Sequence, residues 1–223
     1  MQNNILLSVI FLFGILALSS CDAQPKRALP YIGNFDLEYS TVDGEEIVDT
    51  IYPKMTEFSY LNEDSVMISS EDMKGKIWVS DFFFTTCPTI CPTMTSQMKR
   101  LNKKTEDLAS QIQFMSFSIN PTRDTPRKLK EYKKRHGISV SNWHFFTGDE
   151  KKTHKLGIEH FQIFAGQDDL SAGGYAHSPA FTLVDKEGFI RGVYIGTDTK
   201  DVDRMADDIR KLLKIEYGYT GSK

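Results

Sequence analysis

Cys87 and Cys91 stand four positions apart in the segment Cys87-Pro88-Thr89-Ile90-Cys91-Pro92, which two threonines separate from an apolar stretch over residues 77–84. On a helix this spacing places both side chains on one face. A helix that begins at Pro92 leaves the pair around a preceding turn, whereas one that begins at Pro88 is distorted by Pro92. In both cases the two sulfurs converge near a helix N-terminus, whose dipole favours thiolates. Thiolates are soft ligands that select soft ions such as Cu(I).

Two thiolates alone leave a metal ion under-coordinated, so we expect a third donor from a distant part of the chain. His177 precedes Ser178-Pro179 and an apolar segment over residues 180–184, which is predicted to be a strand that enters the sheet beside the cysteine loop. We therefore predict that His177 is the third ligand. The remaining histidines are predicted to have structural roles: His136 at a helix end and His144 in a strand. His154 and His160 lie on or near a lysine-rich helix, where a ligand role is the less favoured alternative.

The elements that must position these residues follow the order β-α-β-α-β-α-β-β-α from Ile77 onward. The early alternation predicts a parallel core, and the closing hairpin adds antiparallel strands. Strands are predicted at 77–84, 112–119, 143–146, 180–184 and 189–195, and helices at 93–110, 125–135, 149–161 and from a cap at Asp201 to near the C-terminus. This is the order of a thioredoxin-like α/β fold, with a central mixed sheet flanked by helices. Ligand sites in such sheets lie at the carboxyl ends of the strands.

An N-terminal β-hairpin extension is predicted before this core. Residues 58–61 and 66–68 are apolar and flank a polar turn. Residues 31–52 are predicted to form irregular structure with short strands. We place the N-terminal extension at residues 31–56, the thioredoxin-like domain at 57–218 and a short tail at 219–223. Thioredoxin-like proteins often have a cis-proline opposite the cysteine pair, and Pro179 is predicted to be that residue.

The first twenty residues have no charged side chain, and residues 5–18 are almost entirely apolar. This run is shorter than the ~20 residues of a membrane-spanning helix and matches the core of an export signal. Leu18-Ser19-Ser20-Cys21 resembles a bacterial lipobox, although no Lys or Arg precedes it. We therefore predict a lipoprotein signal peptide at residues 1–20, a lipid on Cys21, and a proline-containing tether at residues 21–30.

The alternative to this lipoprotein signal is an uncleaved N-terminal membrane anchor. Both interpretations hold the domain at the cell membrane, facing the periplasm or the exterior.

The composition excludes several classes of protein. The chain has 223 residues, with 27 Lys and Arg against 30 Asp and Glu and a net charge of −3, whereas nucleic-acid binders normally have a basic excess. Hydrophobic residues at 40% and charged residues at 26% exclude a wholly disordered chain. Three cysteines are too few for a disulfide-stapled scaffold. With Cys21 lipidated, an exported domain whose only two thiols are so close indicates a functional pair.

Three motifs resemble the Sco/SenC proteins, which bind copper and assist cytochrome oxidase assembly. They are residues 82–94 around the cysteines, residues 118–126, where Asn120 stands in place of the usual Asp, and residues 177–188, with His177-Ser178-Pro179 and a Leu-Val-Asp-Lys-Glu-Gly turn. The resemblance extends from about Phe58 to the C-terminus. It implies a thioredoxin-like fold, copper held by Cys87, Cys91 and His177, and delivery to the oxidase copper-site subunit.

The leading hypothesis is a membrane-tethered, monomeric copper chaperone without substrate turnover. The alternative is a thiol–disulfide oxidoreductase that reduces the cysteines of the oxidase copper site, with Cys87 and Cys91 as the redox pair that forms a disulfide when oxidised. A peroxidase is a weaker third hypothesis, since no feature of the sequence singles out one reactive thiol. An inert lipoprotein with a static disulfide between Cys87 and Cys91 is the least favoured hypothesis, because a disulfide that closes so short a loop stabilises a fold little.

Overall fold

A computed structural model of the chain describes residues 27–171, 173–219 and 221. The signal peptide predicted at residues 1–20 and the lipidation predicted at Cys21 lie outside these residues. Among the described residues, no helix has the length and apolar character needed to cross a membrane.

A seven-stranded mixed sheet forms the centre of the domain. In the described part of the chain the strands are β1 (Asp36–Val42), β2 (Glu45–Ile51), β3 (Ser59–Asn62), β4 (Met67–Ser69), β5 (Ile77–Phe83), β6 (Ile112–Ser118), β7 (Trp143–Thr147), β8 (Ala165–Gln167), β9 (Tyr175–His177), β10 (Ala180–Val184) and β11 (Ile190–Ile195). The sheet order is β11-β10-β5-β6-β7-β3-β4. Strands β5, β6 and β7 pair in parallel, and the other pairings in this sheet are antiparallel.

The three parallel strands are apolar because they are covered on both faces. Every residue of β5 and β6 is buried. Aromatic rings fill the space behind them, with Phe82 stacked on Phe117 at a centroid distance of 5.2 Å and Phe117 in contact with Phe161. Burial of both faces is typical of a parallel sheet flanked by helices. The thioredoxin-like α/β class is confirmed.

Four helices connect and flank the strands in the described residues: α1 (Cys91–Lys104), α2 (Pro126–Arg135), α3 (Glu150–His160) and α4 (Thr199–Glu216). Thr125 caps α2, with Pro126 at the first helical position as predicted. Asp149 caps α3 through the amide of Lys152. The helix predicted at residues 93–110 ends early, with Thr105 as its C-cap, and a 3-10 turn follows.

The cap predicted for the last helix is wrong by one turn. Asp198 is the N-cap, and its side chain accepts a hydrogen bond from the amide of Lys200. Asp201 lies inside the helix, where it accepts from the amide of Ile195 and pairs with Arg204. A carboxylate in the first helical turn is also favourable there, so the sequence pattern fits either position.

The described residues form one hairpin that extends the central sheet and two small hairpins that stand outside it. The hairpin of β3 and β4 has the predicted pairing and extends the main sheet. Strands β1 and β2 have seven residues each, longer than predicted for residues 31–52, and all fourteen positions are exposed. Strands β8 and β9 form a second, unpredicted hairpin that ends at His177.

Candidate metal centre

The cysteine loop leaves the carboxyl end of the central strand β5. The amide of Cys87 donates to the carbonyl of Phe84 at 3.1 Å, which closes a turn directly after the strand. Helix α1 begins at Cys91, with Pro92 in its first turn, where a proline amide is not needed. The helix therefore starts between the two predicted positions. Cys87 lies in the preceding loop, and Cys91 occupies the positive end of the helix.

Asp124 fixes the start of this loop. Its fully buried carboxylate accepts hydrogen bonds from the amide and hydroxyl of Thr85 and from the hydroxyl of Ser118, the latter at 2.6 Å. These contacts join the ends of β5 and β6 beneath the cysteines. Asp124 was not predicted as a site residue, and its only signal in the sequence was its place in the second motif. The carbonyl of Asn120 accepts from the amide of Asp124, and Asn120 does not contribute to the metal centre.

His177 reaches the cysteines from the last position of β9. Pairing of His177 with Ala165 holds its backbone, and the ring lies edge-on to Phe84. Nδ1 lies 3.2 Å from the carbonyl oxygen of Ser178, which leaves Nε2 directed toward the sulfurs. The prediction of a cis-proline is wrong, because no described peptide bond is cis and Ser178–Pro179 is trans. The β8–β9 pairing positions the histidine instead.

The three predicted ligands converge on one point. Cys91 Sγ lies 3.0 Å from His177 Nε2, and the donor atoms of Cys87, Cys91 and His177 all lie within 4.8 Å of one another. Among the described residues this is the one group of three or more such side chains with that spacing. Cys91 is 1% exposed, and Cys87 and His177 are 9% exposed. A cavity of about 160 Å³ beside them is bordered by Phe84, Ile90 and Tyr175.

The two thiols have different electrostatic environments. Burial raises the pKa of Cys87, but hydrogen bonds from His177, from Cys91 and from the loop amides outweigh it and lower the pKa to about 5. Burial raises the pKa of Cys91, and the neighbouring charges of Cys87 and Asp81 raise it further. Cys87 is therefore the thiolate of the pair at neutral pH, and Cys91 holds a proton that a bound cation would displace.

Asp81 is a second residue of the site that was not predicted from the sequence. It lies on β5, and burial raises its pKa to about 6 against the opposing effects of a Ser116 hydrogen bond and the His177 charge. Its Oδ1 has no hydrogen-bond partner. An acidic residue inside an otherwise apolar strand is the sequence signal that could have identified it.

The remaining histidines do not join the cluster. His136 caps the end of α2, and Nε2 of His154 lies 2.9 Å from the carbonyl oxygen of Ile119. His144 lies on β7, 3.8 Å from the carboxylate of Glu63, and His160 ends α3. These positions agree with the structural roles predicted for them.

The donor set fits a soft cation. Two sulfurs and one imidazole nitrogen match the preference of Cu(I), and their spacing requires little movement to hold one ion. No carboxylate oxygen belongs to the group, so hard cations such as Mg²⁺ and Ca²⁺ fit poorly. The three donors come from separate elements, so the fold itself assembles the centre.

A thioredoxin-like domain with two thiols and an imidazole beside its first parallel strand defines a class of proteins with a thiol-based metal or redox centre. The SCO1/SenC family profile matches residues 50–214. The chain belongs to the SCO1/SenC family.

Three solved structures illustrate this relationship. A SCO1/SenC family lipoprotein from Bacillus anthracis has a TM-score of 0.66 and 31% identity, over 71% of this chain and 94% of that one. BsSco, described as a Sco-family cytochrome c oxidase assembly protein with a disulfide switch, has a TM-score of 0.64 and 29% identity, over 71% and 92%. Copper-bound ScoI from Bradyrhizobium japonicum has a TM-score of 0.60 and 20% identity, over 72% and 100%, a likeness that shows the fold.

Proposed function

We propose that this protein is a membrane-tethered copper chaperone that acts outside the cytoplasm and delivers copper to the copper-site subunit of a respiratory oxidase. The convergence of Cys87, Cys91 and His177 within 4.8 Å is the observation that carries the proposal. Relatives provide support, since BsSco is described as an oxidase assembly protein and the Bradyrhizobium japonicum protein was solved with copper bound. Cys87, Cys91 and His177 are the proposed ligands.

Delivery would proceed by ligand exchange. Copper with three protein donors accepts a fourth from a partner and then loses its first ligands one by one. Cys87 lies in the loop beside the cavity, so we expect its sulfur to exchange before the buried sulfur of Cys91. This order keeps the ion bound by at least two donors throughout the transfer.

The lipid anchor is the second part of the proposal. Cys21 follows a lipobox-like sequence, and the Bacillus anthracis relative is described as a lipoprotein. A lipid on Cys21 holds the domain at the membrane surface, where a membrane-bound oxidase subunit is also found. Substitution Cys21→Ala is expected to abolish incorporation of a palmitate analogue, and unchanged labelling would contradict the anchor.

Metal analysis tests the ligand set. Purified wild-type protein is expected to retain one copper per chain in anaerobic reducing buffer, and His177→Ala to lose most of it, because two thiolates leave Cu(I) without its third donor. His160→Ala is the matched control, since His160 lies on α3 outside the cluster. Wild-type copper content in His177→Ala would refute the proposed centre.

A thiol–disulfide oxidoreductase is the second candidate. It is favoured by the unequal thiols, with a thiolate at Cys87 and a buried thiol at Cys91, and by the disulfide switch described for BsSco. Attack by Cys87 on a partner disulfide forms a mixed disulfide, which Cys91 resolves as two electrons pass to the partner. His177→Ala separates the two functions, because exchange does not require a third ligand. Equal loss of copper binding and of disulfide reduction would favour the oxidoreductase.

A further inference from the structure

The central sheet has two edges at which its strands end. The metal centre lies at one of them, and a buried cluster of charges lies at the other. Arg191 on β11 is 1% exposed and pairs with Asp185 at 2.8 Å and with both oxygens of Glu216, at 2.8 and 2.6 Å. Burying an arginine is unfavourable unless its donors are paired. Here the two carboxylates and two backbone carbonyl groups use all five N–H donors.

The two carbonyl groups belong to the first described residues of the chain. Arg191 donates to the carbonyl oxygens of Leu29 at 2.5 Å and Pro30 at 3.1 Å, and Glu216 accepts from the amide of Ala28 at 2.6 Å. The side chains of Ala28 and Leu29 are buried. We call Arg191, Asp185 and Glu216, with the backbone of residues 28–30, the N-terminal clamp.

Further contacts extend the clamp toward β1. The amide of Ile32 donates to the carbonyl of Ile190 at 2.9 Å, and the ring of Tyr31 lies 4.5 Å from the guanidinium carbon of Arg191. Part of the predicted tether is thus attached to the folded domain. Residues 28–30 of the predicted tether therefore belong to the folded domain.

The clamp and the metal centre lie at opposite ends of β5. Asp185 follows β10, which is antiparallel to β5, and Val184 pairs with Trp78 at the amino end of β5. Cys87 follows the carboxyl end of β5 after Phe83. The seven residues of β5 separate the two edges by about 20 Å.

We propose that the clamp orients the domain on the membrane, with the clamp edge toward the lipid surface and the metal centre directed away from it. This inference rests on the proposed lipid anchor at Cys21. Five residues separate Cys21 from Arg27, and a fully extended chain from Cys21 to Ala28 spans about 25 Å at most. Turning the metal centre toward the bilayer would require nearly complete extension of this segment, with a large loss of conformational entropy.

This orientation presents the copper to a partner whose recipient site stands above the membrane. The sheet and the loops at its two ends lie between the lipid surface and the sulfurs. A recipient site at the level of the headgroups would be out of reach of the metal centre. The clamp therefore favours partners whose copper site stands at a matching distance above the membrane surface.

Energy transfer from a protein label to labelled lipid measures the orientation. The background is the full lipidated chain with Cys87→Ser and Cys91→Ser, and single label sites come from Lys74→Cys before β5 or Thr86→Cys after it, both at exposed positions. The protein is reconstituted in phosphatidylcholine vesicles that contain a headgroup acceptor. Neutral lipid is used because residues 33–52 contain six acidic and no basic side chains. We expect transfer at least about twofold stronger from position 74 than from position 86, given the edge separation.

Clamp variants test the cause of the orientation. Arg191→Met is expected to reduce the difference between the two labels, whereas Arg210→Met, which removes an exposed pair with Asp107, leaves it unchanged. If Arg191→Met fails to fold by circular dichroism, Ala28→Pro removes one amide donor of the clamp without touching the sheet. Ala28→Gly retains that amide and is its control.

The outcomes separate the two proposals. Vesicle binding that does not depend on Cys21 overturns the lipid anchor and the orientation with it. Vesicle binding through Cys21 with equal transfer from both labels overturns the orientation alone. Amide exchange supplies a readout without membranes. The amides of residues 28 and 29 should exchange at least about tenfold more slowly in wild-type protein than in Arg191→Met, and the amide of residue 29 should do so relative to Ala28→Pro, which has no amide at position 28. Equal exchange would refute the clamp.

Discussion

At one edge of the central sheet Cys87, Cys91 and His177 converge, and at the other Arg191 lies between Asp185 and Glu216. Both groups are buried and both join distant parts of the chain. At the clamp, every donor of Arg191 has a partner within the protein. At the metal centre, the thiols are free, and the Cys87 thiolate has hydrogen bonds but no arginine or lysine partner among the described residues.

This difference separates a structural site from a binding site. Burial of polar groups costs free energy unless they are paired, so a self-sufficient cluster such as the clamp stabilises one conformation of the chain. The metal centre leaves its pairing to a ligand from outside. A cation would balance the thiolate charge, and its loss would leave the sulfurs with hydrogen bonds alone, which is the property that a carrier requires.

The largest effect is expected at the metal centre from loss of a single sulfur. Cys87→Ser and Cys91→Ser should each remove most copper binding, because each leaves two donors and replaces a soft ligand with a hard one. Metal analysis after gel filtration in anaerobic buffer measures the loss. The protein should stay folded by circular dichroism, since serine is close to cysteine in size and no contact of the clamp is removed. Near wild-type copper content in either variant would contradict a shared site.

The next effect is expected at the clamp, in stability rather than in binding. Arg191→Met leaves the carboxylates of Asp185 and Glu216 without their partner and should lower the free energy of unfolding by about 3–5 kcal/mol. Arg210→Met, at an exposed ion pair, should cost at most about 1 kcal/mol. Urea denaturation measures both values. Similar values for the two variants would show that the buried cluster has no special role.

These two edges also differ in how far the sequence predicted them. The metal centre was found because the spacing of the cysteines is local and the fold order placed His177 nearby. The clamp was not found, because Arg191 and Leu29 are separated by 162 positions and neither stands in a distinctive motif. A buried arginine cannot be distinguished from an exposed one by residue type alone.

The same contrast holds within the fold. Apolar runs predicted β5 and β6 and hence the parallel core. The β8–β9 hairpin was missed because Ala165-Gly166-Gln167 has neither alternation nor branched side chains, and its pairing depends on tertiary contacts. The isomer of Pro179 was wrongly predicted from the fold class, and the hairpin supplies the positioning that a cis bond was expected to provide.

A smaller effect is expected from Asp124, which combines properties of both edges. It is a fully paired buried group like the clamp, but it fixes the loop that contains Cys87. Asp124→Asn replaces one acceptor oxygen with a donor that faces other donors, and should cost about 1–3 kcal/mol of stability. Copper should still bind, with faster loss to a competing chelator. Asp107→Asn at the surface is the control, and unchanged stability and copper loss in Asp124→Asn would contradict the anchoring role.

The smallest effect is expected from acid at the clamp. Burial raises the pKa of Glu216, but hydrogen bonds from Arg191 and from the amide of Ala28 outweigh it and hold the pKa below its ordinary value of 4.5. A carboxylate with a lowered pKa in the folded state contributes stability that is complete above the unfolded value and is lost as the pH falls through the folded one. The contribution of Glu216 to the protection of the amides of residues 28 and 29, after correction for intrinsic exchange, should therefore decline as the pH falls below 4.5.

Glu216→Gln supplies the matched control for this acid response. The amide oxygen still accepts from Ala28, but this side chain no longer titrates, so protection should be weaker and should decline less between pH 6 and 3 than in wild type. Burial raises the pKa of Asp185, the other carboxyl of the clamp, so Asp185 accounts for the decline that remains. Amide exchange followed by mass spectrometry on peptides from residues 27–32 measures both proteins. A decline of equal size in wild type and Glu216→Gln would assign the acid response to another group and show that the clamp does not depend on the charge of Glu216.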